Sequence, residues 1–167
     1  MRRVSLLVVG FLLAAGCSGE SGERRTIVAS IYPLAYASER IAGPDWEVID
    51  LTPPGVEAHD LELSIEDRSA IQDADVVVYV GDIGFQPQVE DSVAEASGRV
   101  VAVTDGVALA EGDEHEEGLA FDPHFWLDPV RYGEIFSLID DALGEVDPEG
   151  FDAYQSRSED LVRDVGE

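Results

Sequence analysis

The chain has 167 residues, enough for one domain, and 45% of them are hydrophobic, so it can build a core of ordinary size. Its 36 acidic residues face 10 basic ones, all arginine, for a formal net charge of −26. That balance disfavours nucleic acid and anionic lipid headgroups as partners, because both repel it, and favours cations. Much of this charge reads as a solvated acidic surface. Steering of a cation by it weakens with salt, since the screening length is only about 10 Å at 0.1 M.

Met1-Arg2-Arg3 is a short basic start, and Val4 to Ala15 is an apolar run broken by Ser5 and Gly10. The run is shorter than the roughly 20 residues a bilayer span needs, and it fits the apolar core of a secretory signal peptide. Leu13-Ala14-Ala15-Gly16-Cys17 resembles a bacterial lipobox, with Ala14 where a larger aliphatic residue is usual. Residues 1–16 are therefore read as a lipoprotein signal peptide, Cys17 as the lipidation site and residues 17–25 as a polar tether. Cys17 is the only cysteine, so once it is lipidated no disulfide can form.

Thr26 to Ile31 is a short apolar run rich in β-branched residues and is expected to be a buried strand. Pro33 opens a helix whose apolar face is Leu34, Ala37, Ile41 and Ala42, and Gly43-Pro44 stops it. Trp46 to Leu51 alternates as a second strand. Pro53-Pro54-Gly55 then turns into a loop carrying His59. Ser64, with Asp67 three residues on, marks a helix start, and that helix runs to about Asp73. Val76 to Val80 is continuously apolar, as expected of a strand covered on both faces. Gly81 and Gly84 after it make no dinucleotide fingerprint and read as turn residues. Val89, Val93 and Ala96 suggest a helix closed at Gly98, and Val100 to Val103 is a fourth strand.

Ala110 to Gly118 is an acidic loop containing His115. Asp128 and Pro129 form a helix cap and first position, followed by an apolar face of Tyr132, Ile135, Phe136, Ile139, Ala142 and Leu143. The same pairing recurs at Asp147-Pro148, with Phe151, Tyr154, Leu161, Val162 and Val165 as the next apolar face. Strands alternating with helices predict an α/β lobe: a four-stranded parallel sheet flanked by helices, with right-handed crossovers. Ligands of such open sheets gather beyond the carboxyl ends of the strands. His59 follows the second strand and His124 the fourth, so order alone puts both on that edge.

Neutral imidazole is the commonest protein ligand for zinc. His59 and His124 on separate loops would form a site closed by the fold. Glu57, Asp60 and Asp122 are nearby carboxylates able to complete a shell or orient the rings, and sequence does not choose among them. Pro123 and Pro129 are expected to stiffen the His124 loop and Trp126 to anchor it in the core. His115 is at most an auxiliary metal ligand in a mobile loop. A metallohydrolase would need an open coordination position and a general base, and the chain contains no H-E-x-x-H.

Three stretches resemble the substrate-binding lipoproteins of zinc and manganese ABC importers. They are Ile27 to Pro33 (I-V-A-S-I-Y-P), Pro53 to Val80 with P-P-G-V-E-A-H-D-L-E-L-S, and Asp122 to Pro129 (D-P-H-F-W-L-D-P). The resemblance implies two α/β lobes joined by a long helix, with the metal held between them. It maps the first two histidine ligands onto His59 and His124. It places the remaining ligands, a histidine or glutamate and an acidic residue, in a second lobe that this sequence lacks. The domains expected on this basis are a metal-binding lobe over 26–147 and the start of a linking helix over 148–167. The implied cargo is Zn2+, with Mn2+ as the alternative. The implied partners are the membrane-embedded permease of the importer and, through Cys17, the extracytoplasmic face of a bacterial membrane. An adhesin-like surface lipoprotein of the same fold is the alternative reading.

Overall fold

Four parallel strands form one sheet in the order β2-β1-β3-β4. They are β1 (Arg25–Ala29), β2 (Trp46–Asp50), β3 (Val76–Tyr79) and β4 (Arg99–Ala102). The computed structural model describes residues 24–52, 54–112 and 119–166. Cys17 with the expected leader before it, and His115, lie outside the described residues.

β3 shows why the sheet is buried. All four of its side chains are buried, and strand periodicity sends them alternately to opposite faces. Val76 and Val78 join a core built with α1 (Tyr32–Ala42), α4 (Pro129–Val146) and α5 (Phe151–Val165). Leu34, Ile41, Ile135, Phe136, Ile139, Leu143 and Leu161 supply its bulk. Val77 and Tyr79 join a smaller core with Ile71 of α2 (Ile65–Asp73) and Val89 of α3 (Pro87–Val93). Burying each such aliphatic side chain contributes roughly 1.5–3 kcal/mol, so helices on both faces explain the uninterrupted valines. In register, Ile27 of β1 lies between Val48 of β2 and Val76 of β3.

The expected four-stranded parallel α/β lobe is present, and several of its punctuation marks act as read. Ser64 and Asp67 form a reciprocal capping box at the start of α2. Asp128 caps α4, accepting from the Val130 N–H at 2.9 Å, with Pro129 at the first position. Gly81 takes φ +126°, and a Cβ there would stand 2.2 Å from the Thr104 hydroxyl oxygen, so the turn after β3 requires glycine.

Three readings are corrected. α3 ends at Val93 rather than continuing past Ala96. The chain beyond it is drawn onto α2 and the approach to β3, where the Ser97 N–H donates to the Gln72 carbonyl and the Arg99 N–H to that of Asp75. Asp147 does not cap α5, which begins at Phe151 after a turn whose Gly150 N–H bonds the Asp147 carbonyl. The Asp147 carboxylate instead accepts from the Tyr154 hydroxyl at 2.5 Å and pairs with Arg25 at 3.3 Å. Val162, read as part of the apolar face of α5, is exposed.

Candidate metal centre

The strand order reverses between β1 and β3, since β2 lies outside β1 on one side and β4 outside β3 on the other. The crevice beyond the carboxyl ends at such a switch point is where open α/β sheets take ligands. Both histidine loops converge there. The centroids of the His59 and His124 rings stand 6.3 Å apart, inclined at 62°.

His59 sits in a single 3-10 turn, Ala58–Asp60, in the segment joining β2 to α2. Its ring packs edge-on against Phe85, with centroids 4.6 Å apart and planes at 84°. Phe85 is buried in the loop after β3. Oε1 of Glu57 lies 3.5 Å from His59 Nδ1.

His124 immediately precedes the 3-10 turn Phe125–Leu127. Upstream, the Asp122 N–H donates to the Ala110 carbonyl at 3.0 Å, and a bridge pairs Glu111 with Phe121, so the loop is pinned before it reaches the histidine. Downstream, Phe125 is only 2% exposed. Phe125 is therefore the core anchor expected of Trp126, which is only partly buried and packs edge-on against both Phe125 and His124. Pro123 is buried beside it, while Pro129 is exposed at the start of α4.

Asp122 acts on His124 through one oxygen. Oδ1 accepts from the backbone N–H of His124 at 2.9 Å and lies 2.7 Å from ring Nδ1. These contacts, the backbone hydrogen bond foremost, hold the Asp122 carboxyl below its ordinary pKa. A carboxylate on Nδ1 fixes the tautomer that leaves Nε2 free of its proton, the form in which imidazole ligates a metal. Of the three carboxylates considered, Asp122 and Glu57 each stand beside the Nδ1 of a histidine two residues downstream. Asp60, next to His59 in the same turn, lines a hollow with Asp50, Leu61 and Asp67. The repeated acid-x-histidine spacing was a signal in the sequence for this pairing.

The donor set fits a divalent transition metal. With a zinc–nitrogen bond of about 2.0–2.1 Å and about 1.1 Å from that nitrogen to the ring centroid, each ring centre lies about 3.2 Å from a shared ion. Two rings on one ion are then at most about 6.4 Å apart, and about 5.2 Å at a tetrahedral angle. The observed 6.3 Å is within that limit, and a closure of about 1 Å reaches tetrahedral geometry. Among the described residues no group of three or more histidine, cysteine or acidic side chains is placed to hold an ion.

Two residues that matter here, Phe85 and Gln86, were not singled out from the sequence. They stand more than twenty positions from His59, in the β3–α3 connection that the switch point brings alongside it.

Residues 27–167 match the family described as zinc-uptake complex component A, periplasmic (ZnuA). The high-affinity zinc uptake system protein ZnuA of Bacillus subtilis (strain 168) is 30% identical over 172 residues, covering 91% of this chain and 54% of that protein. The manganese-binding lipoprotein MntA of Halalkalibacterium halodurans is 33% identical over 168 residues, covering 97% and 55%. Among solved structures, the Zn(II)-bound ZnuA-like domain of Streptococcus pneumoniae AdcA superposes with a TM-score of 0.73 at 27% identity, covering 86% of this chain and 52% of that one. The metal-dependent lipoprotein YcdH from Bacillus subtilis gives 0.74 at 27% identity, covering 85% and 52%. The chain thus spans about half the length of the curated relatives it matches. Its four-stranded parallel lobe and the match over 27–167 make it a member of the ZnuA family.

Proposed function

We propose that this chain is the lobe of an extracytoplasmic solute-binding protein that captures a divalent metal for an ABC importer, using His59 and His124 as ligands. The observation that carries the reading is the convergence of two imidazoles, 6.3 Å apart, from loops distant in sequence onto the crevice at the switch point. The Asp122 carboxylate against the Nδ1 of His124 supports it, because such a carboxylate orients a ligating ring; Glu57 lies 3.5 Å from the Nδ1 of His59.

Zinc is the favoured cargo, since nitrogen donors suit it, with manganese the alternative if oxygen donors supply the rest of the shell. The names of the relatives support both metals. The protein acts as a carrier rather than an enzyme: it binds the ion and hands it to the permease. Residues 1–16 are its signal peptide, Cys17 its lipid anchor and the segment from Cys17 to the start of β1 its tether, so that the expected tether of 17–25 gives up Arg25 to the sheet; the metal-binding lobe runs on to 147, and 148–167 is the start of a linking helix. Among the described residues no helix is long and apolar enough to cross a membrane.

Titration of the chain with zinc chloride, followed by calorimetry, tests the reading. His59→Ala and His124→Ala are each expected to weaken binding by at least about tenfold, and the double variant to abolish the site. Unchanged affinity in either single variant removes that residue from the ligand set.

A further inference from the structure

We infer that Gln86 is the positioning residue for His59, and that with Phe85 it holds the imidazole where a metal can be shared with His124. This rests on the reading of His59 as a ligand. Gln86 is buried at the entrance to α3, in the loop that follows β3. Its side-chain Nε2 donates to the Ser30 carbonyl at 3.2 Å and to the Ala58 carbonyl at 3.1 Å. Ser30 follows the last residue of β1, and Ala58 immediately precedes His59. One amide group therefore ties the carboxyl end of β1 to the turn carrying His59.

The chemistry of that tie is selective. Both neighbours are carbonyl acceptors, so the amide must present its two N–H donors to them. An ionised carboxylate has no donor to offer, and an aliphatic side chain would leave two carbonyls a bond short, the buried one of Ser30 and the half-buried one of Ala58. The Ser30 carbonyl is also held by the Thr52 hydroxyl at 2.8 Å, so it is a fixed post.

The root of the glutamine is fixed as well. Glu90 reaches back from α3 and accepts from the Gln86 N–H at 3.3 Å and the Gly84 N–H at 3.2 Å. Between those two residues Phe85 projects into the core, where its ring meets that of His59 at a centroid distance of 4.6 Å. Backbone and ring of the histidine turn are thus braced from one dipeptide. Metal geometry tolerates little displacement: the ring separation is already near the limit for one ion, so outward drift of His59 takes the pair out of range.

The test is a mutant cycle on the full chain, reading zinc affinity by titration with zinc chloride and following the histidine ring signals by NMR. Gln86→Met keeps length and bulk but removes both donors. It is expected to weaken binding by about tenfold or more, the usual effect of losing a group that orients a ligand. In a His59→Ala background, where only His124 remains of the pair, the same change is expected to have no further effect. An equal loss in that background would show that Gln86 acts on the lobe as a whole, and no loss in the parent chain would show that it does not act at all; either overturns the inference. If His59→Ala itself leaves affinity unchanged, the ligand assignment falls first, and the positioning role with it. Should Gln86→Met fail to fold, as judged by circular dichroism, Gln86→Asn takes its place in the cycle. It keeps the amide but shortens the reach by one methylene, so that it cannot bridge both carbonyls.

Discussion

Asp122 sets two properties of His124 at once, because the same oxygen accepts from its backbone and lies against its ring. Removing the carboxylate frees the loop and the tautomer together. Asp122→Ala is therefore expected to lower zinc affinity by tenfold to a hundredfold, and Asp122→Asn, which keeps an acceptor but loses the charge, by less. Competition with a chelating dye measures both. Asp140 poses a different problem at the same scale. It lies on α4, only 6% exposed. Burial is the main cause that raises its pKa, opposed by a hydrogen bond from Ser158 and reinforced by Asp141 and Glu159. A carboxyl whose folded pKa exceeds its unfolded one binds protons more readily in the native state. Its stabilising influence is thus fully present below the ordinary carboxyl range and is lost as pH rises through the folded value. Asp140→Asn should raise the melting temperature at pH 7, on the order of 2–4 °C, and bring no gain at pH 3. Thermal melts at the two pH values check the sign.

α5 is fastened to the lobe by charge and hydrogen bonding as well as by its apolar face. Arg157 donates from Nε to the Ile41 carbonyl at 2.5 Å and from its terminal nitrogen to the Ala42 carbonyl at 2.8 Å, capping the last turn of α1 from a neighbouring element. Tyr154 accepts from the Trp46 indole at 2.9 Å, and Arg40 pairs with Asp164 at 3.1 Å. Arg157→Ala leaves two helix-end carbonyls without their charged donor and is expected to cost about 2 kcal/mol. Faster hydrogen exchange along α5 than along α4 would locate the effect. Nothing in the sequence announced this arginine, because its partners lie more than a hundred positions away and are backbone atoms. By contrast, what depends on neighbours in sequence was readable: the capping box at Ser64, the cap at Asp128, the unbroken valines of β3 and the apolar faces of α1 and α4. Asp147-Pro148 carried the same local mark as Asp128-Pro129, yet tertiary partners Tyr154 and Arg25 took its carboxylate. The candidate site divides in the same way. His59 and His124 were visible as histidines on the strand-end edge, whereas the choice of Asp122 over its neighbours as the acid on His124 came only with the geometry. Phe85 and Gln86 reach His59 only through the topology that sets β1 beside β3.

A chain with a formal net charge of −26 collects divalent cations whether or not it has a site for one. The two kinds of binding differ in their response to salt. Diffuse attraction falls when the screening length drops from about 8 Å at 0.15 M to about 3 Å at 1 M, whereas coordination by two imidazoles depends on bond geometry and survives. Zinc binding to this chain is therefore expected to retain, at 1 M sodium chloride, a component that the His59→Ala, His124→Ala double variant lacks. That component should be weak. A tight zinc site has four ligands, or three and a water, and the described residues bring together two proposed ones, His59 and His124. Proteins of this family that the chain matches are about twice its length, and the resemblance places their remaining ligands in a second lobe. Joining such a lobe to this chain should tighten zinc binding on the order of a hundredfold or more, because two added donors replace solvent in the shell. Calorimetric titration of both forms at 1 M salt makes the comparison. Equal, tight affinity in the two would mean that carboxylates of this lobe complete the site without outside help, and would overturn the assignment of the missing ligands to a second lobe.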